Sequence, residues 1–119
     1  MRKLLPGIIF AALLVPNQVS GQGSWLSATN VAGNGDVILT DMEVDSNGDS
    51  YILGWFNTNI VSTAGSITTK GNYDIFLLKV NSDGTHAWLK GFGGTLVDLP
   101  GGVELGPDGS VYISGAVNG

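Results

Sequence analysis

Along residues 22 to 119, apolar residues come in short runs separated by turns rich in Gly, Asp and Asn. No window from residue 22 onward carries a continuous helical stripe bounded by caps, so the pattern predicts strands throughout. Met42-Glu43-Val44, a turn over Asp45-Ser46-Asn47-Gly48-Asp49, and Tyr51 to Phe56 read as one hairpin. Asn47-Gly48 is its strongest sign, because both residues tolerate positive φ. Asp74 to Val80, the turn Asn81-Ser82-Asp83-Gly84, and Thr85 to Lys90 read as a second. Gly102 to Leu105, Gly106-Pro107-Asp108-Gly109, and Ser110 to Ser114 read as a third. The expected class is all-β.

Facing follows from the two-residue period of a strand. Ile75 and Leu77 share one face of their strand, and Phe76, Leu78 and Val80 share the other. With both faces apolar, that strand is expected to be covered on both sides. Ile52, Gly54 and Phe56 also share a face, and the glycine marks a close approach by a neighbour.

The first and third hairpins repeat each other. Gly48, Tyr51, Ile52 and Gly54 recur 61 positions later as Gly109, Tyr112, Ile113 and Gly115, while Met42 and Val44 fall on Val103 and Leu105. Trp88 echoes Trp25 at a spacing of 63, which puts a two-residue length difference in an intervening loop. A repeat of this length with about four short strands signals stacked or radially arranged sheets.

The beginning of the chain is different. Arg2 and Lys3 precede an apolar run from Leu4 to Val15, broken by Pro16-Asn17-Gln18 and followed by the small residues Ser20 and Gly21. Twelve residues are too few for the roughly 20 of a spanning helix, and the order is that of a secretory signal peptide over residues 1–21, cleaved near Gly21. Beyond it lie three lysines (Lys70, Lys79 and Lys90), no arginine and ten acids, a net charge of -7 for residues 22–119. That balance argues against nucleic acid, whose binding rests on clustered Lys and Arg. It suits a secreted or cell-surface location. With no Cys in the sequence, disulfides, thiolate nucleophiles and sulfur-bound zinc are excluded.

Taken together, these stretches resemble the bacterial and archaeal β-propeller repeat called SBBP. The resemblance rests on Asp45-Ser46-Asn47-Gly48-Asp49-Ser50-Tyr51-Ile52-Leu53-Gly54, on Gly71-Asn72-Tyr73-Asp74-Ile75-Phe76-Leu77-Leu78-Lys79, on Asp83-Gly84-Thr85-His86-Ala87-Trp88, and on Gly91-Phe92-Gly93-Gly94. It covers nearly all of residues 25 to 119. The second copy departs by having Gly106 where the first has Asp45. What the resemblance implies is about one and a half four-stranded propeller-type units over residues 22–119, in an exported or cell-surface repeat protein with a structural or interaction role. It supplies no catalytic residue and no cofactor. Because the second unit stops at Gly119, the sequence reads as the N-terminal fragment of a longer repeat protein that needs further repeats of the same chain.

Asp45-x-Asn47-x-Asp49 begins like a calcium loop, but an EF-hand needs Gly sixth and Glu twelfth, where Ser50 and Phe56 stand. Turn-capping by Asp and Asn accounts for it, as at Asp83 and Asp108. Asp41, Glu43 and Asp45 alternate about 7 Å apart on one strand face, a spacing that overlaps a glycosidase acid/base pair. An outward acidic face opposite core-facing Met42 and Val44 explains the same pattern. His86 has no second His or Cys to join it and reads as a strand side chain. Trp25, Trp55 and Trp88, with Tyr51, Tyr73 and Tyr112, are expected to pack between successive sheets. A carbohydrate-binding module, or the non-catalytic part of a secreted hydrolase, is the alternative function. No catalytic, cofactor-binding or metal-ligating residue is assigned.

Overall fold

The computed structural model describes residues 30–119. The signal-peptide reading of residues 1–21, and Trp25, lie outside them. Eight strands follow in order: β1 (Val37–Val44), β2 (Ser50–Phe56), β3 (Asn59–Ser62), β4 (Gly65–Thr68), β5 (Asp74–Val80), β6 (His86–Phe92), β7 (Leu99–Leu105) and β8 (Val111–Ala116). They make a four-stranded antiparallel sheet in the order β1-β2-β5-β6 and two separate hairpins, β3-β4 and β7-β8. The described chain is all-β, in several antiparallel sheets.

The three expected hairpins are present as β1-β2, β5-β6 and β7-β8. Their turns differ from a tight two-residue Asn-Gly turn in one respect. At the first, only Gly48 has positive φ (85°), while the Gly48 N–H donates to the Asp45 carbonyl and the Asp45 N–H to the Asp49 carbonyl. A single left-handed glycine after a right-handed turn closes the hairpin, so Asn47 needs no unusual backbone. Gly84 (87°) and Gly109 (83°) repeat the geometry.

The β3-β4 hairpin is an element the pattern reading did not pick out. It occupies the connection between β2 and β5, which pair directly across it, from Ser50 opposite Val80 to Phe56 opposite Asp74. Ile60 of β3 is fully buried, and Ile67 of β4 packs against the same core. Their alternation with Val61, Ser62 and Ser66, and the positive φ of Gly65 (129°), are the local signal of a short hairpin.

Two cores lie on the two faces of the sheet, divided as the strand period requires. Ile52, Phe56, Phe76, Leu78 and Val80 form the first face, covered by Val31 and Ile60. Tyr51, Leu53, Ile75 and Leu77 form the second, covered by Val103 of β7 with Leu105 and Val111 beside it. β5, with both faces apolar, is buried on both. Gly54 is the expected close approach: a Cβ there would lie 2.1 Å from the Ile38 carbonyl oxygen and 2.7 Å from Phe76 Cε1.

The 61-residue repeat holds at the level of individual backbone pairs. Met42 faces Ile52, Glu43 faces Tyr51 and Val44 faces Ser50; 61 positions on, Val103 faces Ile113, Glu104 faces Tyr112 and Leu105 faces Val111. Both hairpins also carry a register shift at the same place, between Leu39 and Asp41 and between Pro100 and Gly102. A bulge that falls at one position in both copies is a feature of the sequence pattern rather than an accident of one strand. Gly115 repeats Gly54 as well, since a Cβ on it would lie 2.6 Å from the Leu99 carbonyl oxygen.

Equivalent residues nevertheless sit in different surroundings. Met42 is half-buried against the first-face core and Val44 is 43% exposed, whereas Val103 is buried. The reason is the stacking: the side of β7-β8 equivalent to the first face of the sheet rests on that sheet's second face. Tyr51 is 7% exposed under this hairpin, while its counterpart Tyr112 on the outward side of β8 is 61% exposed.

Candidate functional site

The residues richest in chemical groups gather where β7-β8 meets the sheet. Asp41 is held on β1 just after the bulge, so its carboxylate reaches both hairpins. Oδ1 accepts the Met42 N–H at 2.9 Å and Oδ2 accepts the Val103 N–H at 2.9 Å. Met42 and Val103 are the same position in the two repeats, and one carboxylate therefore ties equivalent strands together. Such charge-assisted bonds are stronger than neutral ones. Rather than facing outward, as the alternation with Glu43 and Asp45 suggested, Asp41 is turned to the neighbouring hairpin.

The three alternating acids do not converge on one cleft. Asp41 lines a hollow of about 340 Å³ with Gly102, Glu104, Tyr112 and Ser114. Glu43 and Asp45 line another, of about 370 Å³, between the first and third turns. Asp45 is already engaged, Oδ1 accepting the N–H groups of Asn47 (2.9 Å) and Asp49 (3.0 Å). Asp49 turns away: Oδ1 accepts the Ser82 N–H at 2.9 Å, and Oδ2 pairs with Lys79 Nζ at 2.9 Å. The Lys79 ammonium holds the Asp49 carboxyl below its ordinary value of 3.8, and Asp49 raises Lys79 in return. The acids of Asp45-x-Asn47-x-Asp49 thus shape the turn and tie it to the next one.

Asp83 and Asp108 do the same within their own turns. Asp83 Oδ1 accepts the Thr85 N–H (2.9 Å) and hydroxyl (2.6 Å), and Asp108 accepts the N–H (3.0 Å) and hydroxyl (2.9 Å) of Ser110. These bonds lower both carboxyls below the usual range. Among the described residues, no three His, Asp or Glu side chains are grouped to hold a metal ion.

A second junction was not singled out from the sequence. Asp98 is fully buried, its Oδ2 accepting the Gly94 N–H at 2.7 Å and its Oδ1 the Asn118 N–H at 2.6 Å. Asp74, 3% exposed, accepts the Lys70 N–H at 3.1 Å through Oδ2, while its Oδ1 is buried with no hydrogen-bond partner among the described residues. Gly93 separates the pair: a Cβ there would lie 2.5 Å from Asp74 Cγ and 2.6 Å from Asp98 Oδ2. The Asp98 N–H also donates to the Tyr73 carbonyl at 2.8 Å. The two acids bind the ends of β5, β6 and β8 into one junction. A comparable pairing joins Asp36 to Asn57, with Asn57 Nδ2 donating to Asp36 Oδ2 at 3.0 Å, and Asn57 falls on Asn118 at the repeat spacing.

His86 opens β6 opposite Val80 and lines a hollow of about 490 Å³ with Asn30, Ser62, Thr63 and Thr85. Partial burial depresses its pKa below 6.5, favouring the neutral ring. Of the aromatics expected to pack between sheets, Tyr51, Tyr73, Trp55 and Trp88 make ring contacts, whereas Tyr112 is 61% exposed because it lies on the outward side of β8. Trp88 lies 6.1 Å from Tyr51, beneath β7-β8, and Trp55 meets Tyr73 edge-on at 4.9 Å. Lys79 Nζ sits 5.3 Å from the Tyr51 ring centre.

No protein-family model, curated protein or solved structure matches this chain.

Proposed function

We propose that this chain is an exported or cell-surface segment of an SBBP-type β-propeller repeat protein, with a structural or interaction role. The observation that carries the reading is the shared register of β1-β2 and β7-β8, bulge included, together with the stacking of the second on the first. Repeats that pack on their neighbours in one orientation build an extended or closed array whose outer surface is available to partners. Of the carboxylates that the sequence offered, Asp41 and Asp45 accept backbone N–H groups and Asp49 pairs with Lys79, which suits a scaffold. Export rests on the basic, apolar and small-residue order of residues 2 to 21.

Expression in a secreting host, followed by N-terminal sequencing of the extracellular product, tests the export half. The expected product begins near Gln22, and an extracellular product that retains Met1 and Arg2 counts against it. One observation favours carbohydrate binding as a second reading: Tyr112 presents its ring at the surface, 61% exposed. Glycan binding that disappears in Trp55→Ala or Tyr112→Ala without loss of fold would favour that reading over a pure scaffold.

A further inference from the structure

We propose that the junction of Asp74 and Asp98 holds a calcium ion. The inference is independent of the repeat reading, because it rests on the two buried carboxylates and the glycine between them. Asp98 is fully buried and Asp74 is 3% exposed, and a carboxylate taken out of water is costly unless a cation or enough donors compensate it. Asp98 has two N–H donors, from Gly94 and Asn118. Asp74 has the Lys70 N–H on Oδ2, while its Oδ1 is buried with no hydrogen-bond partner among the described residues.

Within residues 30–119 no side-chain cation neutralises the pair. Lys79 is paired with Asp49, Lys90 Nζ lies over the Trp88 ring, and Lys70 gives Asp74 its backbone N–H rather than its ammonium. Arginine does not occur in this stretch. Gly93 is what brings the two acids to one space: the point its Cβ would occupy lies 2.6 Å from Asp98 Oδ2 and 2.8 Å from Asp74 Oδ2. An ion beside that glycine reaches oxygens of both. A divalent ion neutralises both carboxylates, whereas a monovalent one leaves a charge buried. Calcium takes about six to eight oxygens in an irregular array, backbone carbonyls included, so two acids suffice where the main chain supplies further ligands. Magnesium demands a regular octahedron and keeps several of its own waters, which a junction this buried does not admit.

The test uses the 119-residue chain, stripped with a chelator and then given calcium or magnesium chloride. Calcium in tenfold excess over its dissociation constant is expected to raise Tm by about 5 °C or more, and magnesium to raise it far less. In amide spectra the Lys70 and Gly94 resonances, whose N–H groups donate to the two carboxylates, are expected to shift with calcium while those of Asn47 and Asp49 stay in place. Asp74→Asn is expected to abolish the calcium effect and to melt close to the unaltered chain in chelator. Asp45→Asn, in the turn that begins like a calcium loop, is expected to leave the effect intact. If Asp74→Asn does not fold, the amide shifts of the unaltered chain decide. A Tm that calcium does not move, an equal response to magnesium, an effect that survives Asp74→Asn, or shifts gathered at Asn47 and Asp49 instead overturns the proposal.

Discussion

Leu77 and Leu78 are adjacent on β5, both buried (4% and 0% exposed), yet they belong to different cores. Leu77 lies beneath Val103 of β7, and Leu78 lies among Ile52, Phe76 and Ile60. Truncating either to alanine removes a buried branched side chain and leaves a cavity, at a cost of about 2–5 kcal/mol. For a domain of this size that lowers Tm by at least about 8 °C. The total cost does not distinguish the two positions, but its location does. Leu77→Ala is expected to accelerate hydrogen exchange at Val103 and Leu105 well beyond the change at Ile60, because it loosens the seat of β7-β8. Leu78→Ala is expected to do the reverse. Thermal unfolding and residue-resolved exchange on both variants provide the comparison. If Val103 stays protected in Leu77→Ala and opens in Leu78→Ala, the assignment of the two faces to two layers is wrong.

The remaining predictions concern the junctions and the free edge. Asp98→Asn should destabilise by about 1–3 kcal/mol, since one of the two N–H groups it accepts would then face an amide donor; Asp74→Asn should cost less, because only one Asp74 oxygen is engaged and the change removes one of two neighbouring charges, and paired denaturant melts decide the order. Because burial lowers the His86 pKa, the unfolded chain takes up the proton first as pH falls through 6.5, so stability should decline from about pH 7 toward pH 5. His86→Gln should flatten that decline, and an unchanged slope in melts across the range would reject the assignment. Residues 22–119 in isolation should self-associate or unfold with weak cooperativity, as the β8 edge left unpaired among the described residues predicts; light scattering that shows a monomer with a sharp thermal transition would contradict this.

Legibility from sequence followed how local each determinant is. The three long hairpins were readable because alternation, glycine turns and the 61-residue recurrence all act within a few residues of one another. The two-faced burial of β5 was readable from Ile75 to Val80 alone. β3-β4 was missed because each strand has only four residues and one inward isoleucine, too little period to stand out. The orientation of Asp41 was missed for a different reason: its second partner is the Val103 N–H, 62 residues away, and alternation shows a face without showing what is packed on it. The Asp74–Asp98 junction was hidden likewise, since Gly93 brings the two carboxylates close only after three strand ends have assembled. Turn aspartates were the easy case, with donors two to four residues away.

The β7-β8 hairpin is a structural copy of β1-β2, stacked on it in the same orientation. Cross-strand proton contacts measured by NMR in the 119-residue chain address it directly. The account predicts matching patterns, Met42 with Ile52 and Val103 with Ile113, interrupted at Thr40 and at Gly101, together with methyl contacts between Val103 and Leu77. A one-residue slip in β7-β8 would turn Val103 to the outer side. Finding that slip, or finding Val103 without contact to Leu77, would contradict the account.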